Sequence, residues 1–202
     1  MIKIGLCGSS GAGKGYVCEI FKKYGFAHLD TDKIYNDMVS EKGSECLKEL
    51  CGFFGDEILL PNKILNKKIL AKKVFEDENS EKNLKVLNTI AHKHIRKTVE
   101  EILTSLEKEN CKVAIIDAPV LFESGFDDMC DYTVFVSAPF EAKIERIIKR
   151  DKISKEKALA RLNSQIPDEK LREKCNFEIK NDDKDNLNEQ IENLVKGILI
   201  EK

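Results

Sequence analysis

The sequence has no tryptophan, only four prolines and no apolar run long enough to cross a bilayer. A membrane-spanning chain is not expected, and no low-complexity linker or internal repeat interrupts it. A C-x-x-C pair is also missing. The seven cysteines (Cys7, Cys18, Cys46, Cys51, Cys111, Cys130 and Cys175) are scattered and odd in number. That pattern argues against a disulfide framework or a zinc site, and for reduced, mostly buried thiols in a cytoplasmic protein. Excess positive charge is absent: 34 Lys and Arg face 36 Asp and Glu, a net charge of −2. Nucleic-acid binding is therefore not expected. No charged-then-apolar secretory signal opens the sequence. What remains is 202 residues, 42% hydrophobic and 35% charged, enough for one soluble globular domain with at most a small appended lobe.

The most informative stretch present is Gly8-Ser9-Ser10-Gly11-Ala12-Gly13-Lys14-Gly15, directly after the apolar run Ile2 to Cys7. It fits the phosphate-loop pattern G-x-x-x-x-G-K with one departure: Gly15 stands where Ser or Thr usually follows the lysine. A loop wrapping a polyphosphate turns several backbone N–H groups inward, through angles that side chains resist. Gly8, Gly11 and Gly13 supply that freedom. A helix opening near Lys14 adds its positive dipole end, and Lys14 reaches the outer phosphates as a point charge. The stretch predicts binding of a nucleoside triphosphate. Cys7 adjoins the loop, so its oxidation is expected to inhibit.

Strands and helices alternate around this loop. Strands are predicted near Ile2–Cys7, Ala27–Leu29, Val113–Ile116, Tyr132–Val136 and Phe177–Ile179. Their apolar runs suit strands covered on both faces. A helix is predicted from about Lys14 to Tyr24, and Pro139 suits the first position of another. Leu84, Leu87, Ala91, Ile95, Val99, Ile102 and Leu106 form one stripe at three- and four-residue steps, which predicts a long helix. Leu187, Ile191, Leu194 and Ile198 predict a final one. The fold class is α/β: a parallel sheet with a helical insertion after the second strand. In such sheets the ligand sits at the carboxyl ends of the strands, where Asp30, Asp32 and Asp117 fall.

Phosphoryl transfer needs a carboxylate beside the acceptor hydroxyl, and oxygen ligands, direct or through water, for magnesium. Asp32 is the preferred base, with Asp30 in structural support. Asp30 fits equally as the N-cap of a helix over Lys33 to Met38. Asp117 ends a hydrophobic strand, as a Walker-B acid does, although a strand-end Asp in a turn before Pro119 is common in any α/β protein.

Taken together, these residues resemble the dephospho-coenzyme A kinase family, over nearly the whole chain to about Asn181. Gly8 to Gly15 resembles the family's P-loop, and Leu29-Asp30-Thr31-Asp32 its D-x-D segment, whose second Asp is the presumed base. Leu65 to Lys68 through Val74-Phe75 resembles a basic segment before an apolar-phenylalanine pair. Ala91 to Ile95 resembles a His-Pro helix start, and Asp117 to Glu123 the P-L-L-F-E segment. Arg146 to Asp151 resembles the R-x-x-x-R-D lid entry, Arg161 to Pro167 the lid glutamine motif, and Ile179-Lys180-Asn181 the stretch ending in an adenine-side Asn.

The resemblance implies a P-loop kinase with a five-stranded parallel sheet flanked by helices, a helical acceptor-binding insertion and a helical lid. The expected divisions are a core of about 1–40, 111–150 and 171–202, an insertion of about 41–110 and a lid of about 151–170. The implied reaction moves the γ-phosphate of ATP to the ribose 3′-hydroxyl of dephospho-coenzyme A, with Mg2+. Asp32, Lys14 and Arg146 would be catalytic, Arg146 as an arginine finger in cis. ATP would lie against Gly8, Ser9, Ser10, Gly11, Ala12, Gly13, Lys14, Gly15, Tyr16, Arg150 and Asn181. The acceptor would meet Asp30, Lys67, His92 and Asp117. No protein ligand to the metal is assigned with certainty; Asp32 and Asp117 are the candidates, through water. A monomer is expected.

The departures from the family pattern are specific. Gly15 removes one direct metal ligand, as in cytidylate and adenylate kinases, and a water can fill the place. Tyr16 stands where those enzymes have Thr; it either offers its backbone N–H to the phosphates or packs. Lys67 or Lys68 replaces an Arg and loses a planar two-pronged contact. Lys93 replaces the proline after His92, which reads equally as a helix-surface histidine. The lid's Lys149, Arg150, Lys152, Lys155, Lys157 and Arg161 also read as an ordinary solvated basic face. Two other functions compete. A cytidylate-like nucleoside monophosphate kinase shares the G-A-G-K-G loop but not the D-x-D or P-V-L-F-E segments. A guanine-nucleotide switch would carry N-K-x-D, which is absent.

Overall fold

A computed structural model describes residues 1–182 and 187–200. Its elements follow in the order β1 (Ile2–Cys7), α1 (Lys14–Lys23), β2 (Ala27–Asp30), α2 (Thr31–Ser40), α3 (Glu45–Phe54), α4 (Lys67–Phe75), α5 (Ser80–Lys108), β3 (Val113–Asp117), β4 (Tyr132–Ser137), α6 (Phe140–Asp151), α7 (Lys155–Asn163), α8 (Asp168–Lys174), β5 (Phe177–Lys180) and α9 (Leu187–Ile200). The chain divides into two compact units. One joins residues 1–29 to residues 106–202, and the other is the contiguous stretch 30–105.

The first unit is built on a five-stranded sheet ordered β2-β3-β1-β4-β5. β1 pairs in parallel with β3 and with β4, and β4 with β5. β1 therefore lies at the centre, and the glycine-rich loop leaves from its carboxyl end. Ile4, Leu6, Val113, Ile115, Val134 and Val136 are buried on one face of the sheet and Cys7, Ala114, Ile116 and Phe135 on the other, which is why these strands read as unbroken apolar runs. Val17 and Phe21 from α1 and Ile191 and Ile198 from α9 complete that core. Each large side chain withdrawn from water contributes about 1.5–3 kcal/mol. A smaller cluster, Ile144, Ile147, Ala158 and Leu162, fastens α7 to α6.

The second unit is helical. Asp30 caps α2, accepting from Lys33 N at 3.0 Å. Ser44 and Asn66 cap α3 and α4 through Leu47 N and Ile69 N. Its core gathers Leu47, Leu50, Phe54, Ile58, Leu65, Leu70, Val74 and Ile90. An isolated antiparallel bridge, Leu59 to Leu65, closes a turn in which Lys63 takes a φ of 64°. α5 runs unbroken through 29 residues, roughly 43 Å of helix. The long helix predicted from the Leu84 to Leu106 stripe is present, and His92 lies well inside it, so the likeness of Ala91 to Ile95 to a His-Pro helix start does not extend to a helix boundary. A proline after His92 would have removed a helix hydrogen bond and clashed with the preceding turn, and Lys93 does neither.

Candidate active site

The loop from Gly8 to Gly13 turns back on itself through residues that only glycine tolerates. Gly11 has φ 79°, and a Cβ there would lie 2.5 Å from the Lys143 carbonyl oxygen. Gly13 has φ 92° and forms the left-handed N-cap of α1. A Cβ on Gly15 meets nothing within 4 Å, so the missing Ser or Thr side chain leaves open space. Tyr16 donates its backbone N–H to Gly13 O at 3.0 Å, and its ring is 62% exposed. The packing alternative for Tyr16 is therefore not realised.

Lys14 Nζ folds onto Gly8 O at 3.1 Å. Arg146, between the buried Ile144 and Ile147 of α6, reaches the same loop. Its Nη1 donates to Gly11 O at 3.3 Å, and Nη1 and Nη2 donate to Asn181 O at 3.4 and 3.3 Å. Asn181 Nδ2 in turn donates to Ala12 O at 2.8 Å. Lys14, Arg146 and Asn181 thus converge on the loop, two cations and an amide arranged where polyphosphate charge would be met.

A second set of contacts on the loop has no motif behind it. Lys143 is 4% exposed; its Nζ lies 2.7 Å from Asp168 Oδ2 and 3.1 Å from Ser9 Oγ. Ser9 Oγ donates to Asp168 Oδ1 at 3.0 Å, and Ser10 N donates to Gln165 Oε1 at 2.9 Å. Gln165 and Asp168, around the start of α8, therefore hold both loop serines. The only sequence signal for Lys143 is its place three residues before Arg146, on the same helix face. Arg150 is engaged elsewhere: its guanidinium grips Asp151 in a two-pronged pair at 2.8 and 2.9 Å, which Arg161 joins. These two arginines, Arg150 first, hold the Asp151 carboxyl down to about 2. Lys149, Lys152, Lys155 and Lys157 are exposed, as a solvated basic face requires.

Asp117 ends β3, 9% exposed. Its Oδ2 lies 3.6 Å from Cys18 Sγ on α1 and 3.4 Å from His28 Nε2 on β2. Burial, and then the Asp117 charge, push the Cys18 thiol far above its usual range. At the end of β1, Cys7 Sγ meets Cys175 Sγ at 3.4 Å. The pair polarises: Cys7 is raised, chiefly by its bond to Cys175, and Cys175 is lowered by the same bond.

In the second unit Asp32 lies exposed in the first turn of α2. Lys67 Nζ bonds Asn36 Oδ1 at 2.6 Å, and Asn36 sits one turn beyond Asp32 on the same helix face. Asp30, besides ending β2, serves as the N-cap. His92 is half-buried, whereas His94, which no motif singles out, is buried and lies 2.7 Å from Glu49 Oε2.

A central parallel strand feeding a glycine-rich loop and helix, with a lysine and a lid-side arginine on that loop, defines a P-loop kinase. Comparison with known proteins narrows this. A model of the dephospho-CoA kinase family matches residues 2–186. The chain is 36% identical to a dephospho-CoA kinase of Fusobacterium nucleatum over 96% of its length and 94% of the relative's. It is 34% identical to one of Listeria monocytogenes over 89% and 88%. Among solved structures, a dephospho-CoA kinase from Campylobacter jejuni superposes with a TM-score of 0.70 at 30% identity, covering 97% and 96% of the two chains. A Thermus thermophilus protein gives 0.78 at 30% identity, covering 99% and 97%. A shikimate kinase from Acinetobacter baumannii, 18% identical with a TM-score of 0.56, covers 100% of this chain and 95% of its own and shares the fold alone. The chain belongs to the dephospho-CoA kinase family, and it is a phosphotransferase.

Proposed function

We propose that the protein transfers the γ-phosphate of ATP to the 3′-hydroxyl of dephospho-CoA, yielding CoA and ADP. The observation that carries this reading is the convergence of Lys14 and Arg146 on the glycine loop. Lys14 swings from the Gly8 carbonyl onto the transferring phosphate. Arg146, already at the loop, neutralises charge that develops as the phosphate moves. The loop from Gly8 to Tyr16 holds the rest of the polyphosphate, Ser10 and Tyr16 only on release of their N–H groups from Gln165 and Gly13; Asn181 lies on the adenine side, which Arg150 reaches only by leaving Asp151. Asp32 takes the proton of the acceptor hydroxyl. Asp30, Lys67, His92 and Asp117 bind the acceptor.

The oxygen donors fit magnesium. Asp117 offers a carboxylate at the carboxyl end of β3, and the open space beside Gly15 suits an ion that keeps most of its water. Magnesium bound with ATP would neutralise the β- and γ-phosphates, with Asp117 and Asp32 holding it through water. A cytoplasmic monomer is part of the same proposal; no described helix is long and apolar enough to cross a membrane.

The test is ADP formation by the purified protein with ATP and magnesium, offered dephospho-CoA or CMP. Turnover with dephospho-CoA is expected; turnover with CMP alone overturns the reading. Asp32→Asn should lose at least a hundred-fold in kcat while ATP still binds. Near-normal turnover would remove Asp32 from the role of base.

A further inference from the structure

Cys18, His28 and Asp117 stand far apart in sequence, so no spacing rule connects them. The fold brings them together on α1, β2 and β3, three regular elements of the first unit. The Sγ, the imidazole nitrogen and a carboxylate oxygen all lie within 4.8 Å of one another. We propose that these three side chains form a binding site for one divalent cation of the zinc class.

Geometry and chemistry agree on this. A tetrahedral zinc ion with ordinary bond lengths sets its sulfur and oxygen ligands about 3.5 Å apart, and its nitrogen and oxygen ligands about 3.3 Å apart. The observed separations are 3.6 Å from Cys18 Sγ to Asp117 Oδ2 and 3.4 Å from His28 Nε2 to the same oxygen. Two edges of the tetrahedron are thus present already, and the third, from Cys18 Sγ to the His28 nitrogen, is at most 4.8 Å. The donor set is one sulfur, one nitrogen and one oxygen. Soft and borderline ligands of this kind select zinc, cobalt or nickel over magnesium and calcium, which prefer all-oxygen shells.

Charge balance points the same way. A Cys18 thiolate and an Asp117 carboxylate carry two negative charges, and neutral His28 adds none. A divalent ion cancels them, which matters where Cys18 is 1% exposed and Asp117 9%. The ion takes the place of the thiol proton in the Cys18–Asp117 contact, so each binding event releases one proton to solvent. The His28 and Asp117 side chains retain 15% and 12% exposure, which leaves the fourth coordination position open to water. Occupancy holds an Asp117 oxygen on the ion. The site shares Asp117 with the proposed kinase site, and it is tested without nucleotide, acceptor or magnesium.

The experiment titrates the reduced, full-length protein with Co2+ and follows absorption. One equivalent should produce a thiolate-to-cobalt charge-transfer band in the near ultraviolet with intense tetrahedral d–d bands, and one equivalent of Zn2+ should abolish both. Cys18→Ser should lose the charge-transfer band, and His28→Gln should weaken cobalt binding at least ten-fold. Cys51→Ser, in the second unit, should leave the spectrum unchanged. Circular dichroism checks that each variant folds. If buried Cys18 does not tolerate substitution, the partly exposed His28 position and the release of one proton per ion decide the matter. Absence of the band from the parent protein overturns the proposal. So does a band that survives His28→Gln at unchanged affinity, or one that disappears with Cys51→Ser.

Discussion

Lys143 offers the sharpest test of how the loop is held. Lys143→Met keeps the aliphatic stem and removes the ammonium that lies 2.7 Å from Asp168 and 3.1 Å from Ser9. Breaking a buried ion pair from one side costs about 3–5 kcal/mol. The Asp168 side chain is 19% exposed, so water recovers part of that, and a loss of about 2–3 kcal/mol is expected. In a chain of this size each kcal/mol moves the melting temperature by about 2–4 °C, so Tm should fall by roughly 5–10 °C. The same change takes from Ser9 Oγ one of its two bonds, leaving the one to Asp168 Oδ1 at 3.0 Å, and about 1 kcal/mol of lost loop order weakens ATP binding about five-fold. Adding Asp168→Asn removes the orphaned charge. The double variant should recover much of the stability but not the affinity, because Ser9 still lacks the ammonium contact. Thermal unfolding and nucleotide titration of the three proteins make the comparison. A single variant melting within 2 °C of the parent, with unchanged ATP affinity, refutes the claim that this ammonium helps to hold the loop at Ser9.

Four further outcomes are expected. Gly11→Ala should cost about 2 kcal/mol in thermal unfolding and abolish measurable ATP binding, since φ 79° resists a side chain and the new Cβ meets the Lys143 carbonyl. Gly15→Ser should fold with unchanged Tm, and its magnesium requirement in the ADP assay should fall as a direct hydroxyl ligand replaces water. The Asp151 carboxyl should titrate near 2 by NMR; since its folded value lies below the unfolded one of about 3.9, the Arg150–Asp151–Arg161 contact stabilises above about pH 4 and is lost as pH falls through 2. With hydrogen peroxide, the lowered Cys175 thiolate should become a sulfenic acid with loss of one water. The Cys7 thiol should then condense with it and expel a second, giving a Cys7–Cys175 disulfide seen by peptide mass mapping, reversed by dithiothreitol and absent from Cys175→Ser.

β1, β3 and β4 were legible because each is buried on both faces and so reads as a continuous apolar run, whereas β2 and β5, at the sheet edges, are only partly buried. α5 was legible because its stripe keeps helical step from Leu84 to Leu106. The turn closed by the Leu59–Leu65 bridge was not, since one residue pair carries no periodicity and Lys63 is not a residue that announces a left-handed turn. The glycine loop is a local motif and needed no tertiary information. The ties that hold it, Lys143 to Ser9 across 134 residues and Gln165 to Ser10 across 155, exist only once the sheet has formed. Around His92 the helical stripe was the better guide than the likeness to a His-Pro segment, because Lys93 keeps the backbone N–H that a proline lacks.

The sheet order also sets a timetable for synthesis. Ile2 pairs with Val113, so the first strand waits for about 110 residues before its earliest partner in β3 appears. At about 5–20 residues per second, that delay is roughly 5–20 s on the ribosome. Residues 30–105 form a contiguous unit and can close their own core within that interval. β1, carrying the glycine loop, passes the same seconds as an unpaired apolar strand, the segment a nascent-chain chaperone would shield first.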